Sequence, residues 1–143
     1  MPELPEVETV CAGLRPFVSR QKIKAVHLRR KDLRTPFPKD MAKRLEGRRI
    51  SGVSRRAKYI LLEIKEAGAK AADVCAIHLG MSGRITMVQD IGAYKPEKHD
   101  HMIIALENGT GFVFNDARRF GMVFLESAEG LQNHKAFSHL GPE

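Results

Sequence analysis

The feature that most constrains the fold is a series of short, alternating apolar runs that fills most of the chain. Residues 22–30, 48–56, 58–65, 73–79, 84–89, 101–107, 111–115 and 120–126 each read as a strand-length segment. Such runs are too short for core helices and are strand-like, with rough alternation at 22–30. Asn108-Gly109, set between two of them, is a tight-hairpin signal. Ala67–Ala72 reads as a turn of small residues and Ile91–Lys98 as a loop. Two segments break the pattern. Residues 5–19 carry a 3.6-period stripe of Val7, Val10, Cys11, Leu14 and Phe17/Val18, with Pro5, Glu6 and Glu8 suited to a helix N-terminus. After the breaker Thr35-Pro36-Phe37-Pro38, residues 39–46 suit a short helix ended by Gly47. The expected fold is mainly β with flanking helices: a two-layer antiparallel β-sandwich of about eight strands, with an N-terminal helix and a second short helix. No repeat or internal boundary divides residues 1–143, so one domain is expected.

Apolar residues at 43% supply one core, and charged residues at 29% with few glycines argue against disorder. No apolar run reaches the roughly 20 residues of a membrane span. The opening residues lack the apolar core of a signal peptide, so a cytoplasmic protein is the expectation. Cys11 and Cys75 lie far apart and form neither a zinc motif nor a disulfide framework. Lys and Arg total 24 against 17 acids, a formal charge of +7 that favours a polyanionic partner. The cations fall in three clusters: Arg29, Arg30, Lys31 and Arg34; Arg44, Arg48, Arg49, Arg55, Arg56 and Lys58; and Arg118 with Arg119. Clusters that converge in space could track a phosphate backbone.

Chemistry is suggested first by Pro2. Removal of Met1 would expose a secondary amine, and an α-amino group titrates near 7.7–8.0, far below lysine. Such an amine can attack a sugar C1′ and form an iminium electron sink, with Glu3 as general acid or base. With Met1 attached, the same nitrogen is an amide and cannot react this way. Taken alone, Met-Pro-Glu is an ordinary start.

The wider wording is far more specific. Residues 1–10 (MPELPEVETV), Arg55-Arg56-Ala57-Lys58-Tyr59, His78-Leu79-Gly80-Met81-Ser82-Gly83, Lys98-His99-Asp100-His101, Asp116-Ala117-Arg118-Arg119-Phe120-Gly121 and His139-Leu140-Gly141-Pro142-Glu143 span the chain. In that order they resemble the blocks of the formamidopyrimidine-DNA glycosylases. The resemblance implies a bifunctional glycosylase and AP lyase acting as a monomer on double-stranded DNA with oxidised purines or abasic sites. It implies Pro2 as nucleophile, Glu3 as proton-transfer partner and Lys58 beside the lesion phosphate. Met81, Arg118 and Phe120 match a triad that fills the gap left by a flipped base, and His78 and Arg119 match phosphate contacts. Outside the resemblance, Met81 would read as core, Lys58 as a solvated strand lysine and His78 as a satisfied core histidine. His99 and His101 share a strand face and are too few to hold a metal, so they read as structural.

Ala117 stands where the family has proline. The sequence also stops at the Leu-Gly-Pro-Glu block, before the helix–two-turn–helix module and four-cysteine zinc finger that the resemblance implies. The expectations are a cut at a domain boundary, no cofactor in this chain, one zinc in the missing part, and weak or no activity of the fragment alone. Three alternatives remain: an endonuclease VIII-like oxidised-pyrimidine glycosylase, a non-catalytic damaged-DNA-binding module, and an N-terminal-proline tautomerase.

Overall fold

The computed structural model describes residues 4–65, 73–127 and 130–131. Pro2 and Glu3, the Ala67–Ala72 turn and the block at 139–143 lie outside the described residues. The element order is α1 (Leu4–Val18), β1 (Ile23–Leu28), α2 (Met41–Leu45), β2 (Arg49–Arg56), β3 (Tyr59–Lys65), β4 (Asp73–His78), β5 (Arg84–Val88), β6 (Asp100–Leu106), β7 (Gly111–Asn115) and β8 (Met122–Ser127). A 3-10 turn at Ile91–Ala93 interrupts the loop expected at 91–98. The strands form two antiparallel sheets of four, β2-β3-β4-β8 and β1-β6-β7-β5, as the alternation predicts.

Alternation decides what each sheet buries. Ile60, Leu62 and Ile64 of β3 share one core with Cys75 and Ile77 of β4, Met102, Ile104 and Leu106 of β6, and Phe112 and Phe114 of β7. The helical stripe of α1 (Val7, Cys11, Leu14, Val18) joins the same core, each residue 0% exposed. Removing an aliphatic or aromatic side chain of this size from water stabilises by about 1.5–3 kcal/mol. Tyr59, Leu61, Val74 and Ala76, on the opposite side of the first sheet, form a smaller cluster with Met122, Phe124 and Leu131.

Helix α1 runs antiparallel to β2. Glu8 pairs with Arg55, Cys11 Sγ approaches the Ser54 carbonyl, Arg15 Nε donates to the Val53 carbonyl at 3.1 Å, and the Arg20 N–H donates to the Ile50 carbonyl at 2.7 Å. The start of the helix therefore lies at the Arg55–Arg56 end of the strand. At the same end β3 begins, since Tyr59 pairs with both Arg56 and His78, and His78 pairs in turn with Met122.

Two connections pass between the sheets at this end. Residues 79–83 carry the chain from β4 to β5, and 116–121 carry it back from β7 to β8. Strand β8 starts at Met122 rather than at 120 because Arg119 sits at φ 58 and turns the chain before the ladder begins.

Candidate functional site

The two connecting turns are pressed together. Gly80 has φ +65, and a Cβ there would lie 2.6 Å from the Phe120 carbonyl carbon. A Cβ on Gly121 would lie 2.6 Å from the His78 carbonyl oxygen. Glycine is required at both because the backbones approach within the radius of a side chain. Neighbouring Met81 and Phe120 stand out from this junction, 52% and 42% exposed. That rules out the core reading of Met81. Arg118 and Arg119 are exposed on the same loop.

Beneath the exposed side chains lies a buried polar frame. Asp116 is 0% exposed and accepts from the Ser82 hydroxyl (2.7 Å) and from the N–H groups of Arg119 (3.1 Å) and Gly121 (2.8 Å). His101 Nε2–H donates to the Asp116 carbonyl at 2.7 Å. The His101 ring is therefore engaged within the frame, its centroid 6.2 Å from that of His99. Among the described residues no three His, Cys, Asp or Glu side chains gather to hold a metal ion.

His78 is buried, and its ring meets Tyr59 edge-on at 4.8 Å between centroids. Its Nδ1 accepts from the Gly80 N–H at 3.0 Å, so the neutral ring carries its proton on Nε2. Burial pushes its pKa below the ordinary value, and the nearby charges of Arg34 and Lys58 push it further down. His78 is thus a neutral donor at pH 7 that also fixes the turn carrying Met81. Lys58, half-buried in the β2–β3 turn, sits within electrostatic reach of it. Arg34 arrives from another direction. Its N–H donates to the Gly121 carbonyl at 3.2 Å, which ties the 29–37 loop to the wedge loop.

The structure therefore brings together Lys58, His78, Met81, Arg118, Arg119 and Phe120, with the first turn of α1 beside them. It separates one expected group. Arg48 and Arg49 lie at the far end of β2, about 20 Å from Arg55 at strand rise, and Arg48 pairs with Asp73 at 2.7 Å. The second basic cluster is two patches, because an extended strand carries sequence neighbours apart. Of the first cluster, Arg29 spends its guanidinium on the carbonyls of Glu97 and Asp100, and Arg30 pairs with Asp32. Sequence reasoning missed the roles of Ser82, Asp116 and Arg34. An aspartate opening a glycine-ended turn was the available signal for Asp116; nothing local pointed to the other two.

Known proteins resemble the chain in sequence and in fold. Formamidopyrimidine-DNA glycosylase of Dinoroseobacter shibae is 46% identical over 150 residues, covering 100% of this chain and 51% of the relative. The enzyme of the same name from Beijerinckia indica is 45% identical, covering 100% and 50%. The chain spans about half the length of the curated relatives it matches. Lactococcus lactis Fpg in complex with DNA containing an abasic site superposes with a TM-score of 0.85 at 30% identity, over 99% of this chain and 50% of that one. The same protein in complex with Fapy-dG-containing DNA gives the same score. Residues 1–123 match the family described as the formamidopyrimidine-DNA glycosylase N-terminal domain, and the chain belongs to that family.

Proposed function

We propose that this chain is the catalytic half of a base-excision repair enzyme that removes oxidised purines from double-stranded DNA and then nicks the strand. The observation that carries this reading is the junction itself. Two large apolar side chains, Met81 and Phe120, project from adjacent turns at the end of the sandwich that also bears Lys58, Arg118 and Arg119. Apolar wedges ringed by cations suit a duplex whose base stack is to be opened, because the cations hold phosphates while the wedges replace the extruded base.

In this reading Phe120 presses against the base pair beside the lesion, Met81 fills the vacated stack, and Arg118 hydrogen-bonds the orphaned partner base. Arg119, Lys58 and the Nε2–H of His78 hold the backbone of the flipped nucleotide. The Pro2 amine is the proposed nucleophile, two residues ahead of the first residue of α1 in sequence. It attacks C1′ of the sugar, the base leaves with a proton from Glu3, and the resulting iminium permits elimination of the 3′ and then the 5′ phosphate. The substrate class also follows the names of the relatives, and the DNA in the Lactococcus lactis complexes is consistent with it. Function as a cytoplasmic monomer on chromosomal DNA belongs to the same proposal.

Borohydride trapping tests the chemistry. The natural protein carrying this chain, with Met1 removed, should form a covalent adduct with 8-oxoguanine DNA that maps to Pro2 and disappears in Pro2→Gly. Binding to abasic DNA with no trapped adduct would leave a damage-recognition module instead. Faster excision of oxidised pyrimidines than of 8-oxoguanine would favour the endonuclease VIII-like reading.

A further inference from the structure

Met81 and Phe120 sit on turns 39 positions apart in sequence, yet the groups beneath them form one hydrogen-bonded frame. Ser82, the residue after Met81, acts in both directions. Its hydroxyl donates to Asp116 Oδ1 at 2.7 Å, and its oxygen accepts from the Arg118 N–H at 3.1 Å. A hydroxyl has one proton and two lone pairs, so both bonds can exist together. Asp116 adds the N–H groups of Arg119 and Gly121, and its own carbonyl is held by His101. Bonds to a buried carboxylate are charge-assisted and stronger than neutral ones. Backbone contact at Gly80 and Gly121 closes the same joint sterically.

We propose that Ser82 and Asp116 are positioning residues that bind the Met81 turn and the Arg118–Phe120 loop into one rigid double wedge, so that the seating of Phe120 in the duplex aims Met81 at the stack that the flipped base vacates. The inference rests on the DNA-opening role given to Met81 and Phe120 above. Unstacking a base step costs a few kcal/mol. A side chain on a loose turn would be deflected by that load, whereas a turn ordered in advance loses little further entropy on insertion. Asp116 is fully buried, and the Ser82 hydroxyl is engaged on both sides within the frame.

The test uses the natural protein carrying this chain, with Ser82→Ala, Ser82→Thr and, as a second route into the frame, Asp116→Asn. Stopped-flow fluorescence of 2-aminopurine placed opposite a tetrahydrofuran abasic analogue reports wedge insertion, and amide hydrogen exchange reports the Arg118 N–H. Ser82→Ala should slow the unstacking signal about tenfold and speed Arg118 exchange about tenfold, the size expected for the loss of one hydrogen bond on each readout. Affinity for undamaged DNA and its salt slope should not move, and Ser82→Thr should restore the wild-type rate. Asp116→Asn keeps one acceptor oxygen, so it should slow insertion less than Ser82→Ala and speed exchange of the Gly121 N–H, which loses its acceptor.

Insertion at the wild-type rate in Ser82→Ala, with Arg118 exchange unchanged, overturns the inference alone. A wild-type protein that binds without unstacking the reporter overturns the wedge reading and the inference with it.

Discussion

Gly80→Ala is the sharpest test of the junction. Two costs add. An L residue at φ +65 loses roughly 1 kcal/mol relative to glycine. The new methyl would also lie 2.6 Å from the Phe120 carbonyl carbon, 2.7 Å from the Gly121 nitrogen and 2.8 Å from the Phe120 oxygen. These are backbone atoms and cannot rotate away, so the 116–121 loop must shift. Overpacking of this kind costs about 1–3 kcal/mol, and the shift weakens the bonds from Gly121 N–H to Asp116 and from Arg34 N–H to the Gly121 carbonyl. The total is about 2–4 kcal/mol, a large share of the 5–15 kcal/mol typical of a folded domain. Gly109→Ala separates the two costs. Gly109 has φ +92 but nothing within 4 Å of its Cβ direction, so the substitution should cost about 1 kcal/mol. Urea unfolding of both variants, at matched m-values, gives the difference directly. If Gly80→Ala falls within about 0.5 kcal/mol of Gly109→Ala, the backbones do not meet as described.

Two further predictions follow from burial and exposure. Met81→Ala and Phe120→Ala should each change unfolding free energy by less than about 1 kcal/mol, because neither side chain is buried, while the 2-aminopurine signal of the natural protein is lost; a loss of several kcal/mol in urea unfolding would mean that these side chains serve the core. The second concerns pH. Burial is the largest cause lowering the pKa of both His78 and His101 below the ordinary 6.5. The unfolded chain therefore binds more protons than the folded one between the depressed values and 6.5. Stability is full above about pH 6.5 and falls as pH drops through that window, by up to about 1.4 kcal/mol per pH unit for each histidine. A urea midpoint unchanged between about pH 7.5 and pH 5.5 would contradict the burial of both rings.

The strands were legible as short apolar runs bounded by turn signals. Tyr-Ile-Leu-Leu-Glu-Ile-Lys at 59–65 is such a run, too short for a core helix and buried at all but Glu63 and Lys65. The start of β8 was read two residues early because Phe120 looks like a sheet residue; in the fold it is an exposed loop side chain preceded by a left-handed Arg119. The site was legible, through the resemblance rather than the pattern, at single side chains such as Met81, which by pattern alone reads as core, and Lys58, which reads as a solvated strand lysine. It was not where the property belongs to a pair. Ser82 and Asp116 are 34 positions apart, and neither residue type announces the bond. Arg34 meets the Gly121 carbonyl only because the 29–37 loop folds back. The basic residues of 44–58 failed in the opposite way, since adjacency in sequence becomes distance along an extended strand.

That division bears on what the exposed residues are for. Gly80, Gly121, Asp116 and His101 are explained by folding alone: each is fixed by a steric or hydrogen-bonding demand inside the joint. Met81 and Phe120 are not. A polar side chain at either position would meet every packing requirement of its turn and be better solvated. Met87, the third large apolar side chain exposed to a similar degree, differs because its Cε leans against Gly13 of α1. Met81 and Phe120 therefore stand over a hydrogen-bonded joint while remaining exposed themselves. Rigid support beneath solvent-exposed apolar tips is what insertion into another molecule requires, and folding by itself gives no reason for it.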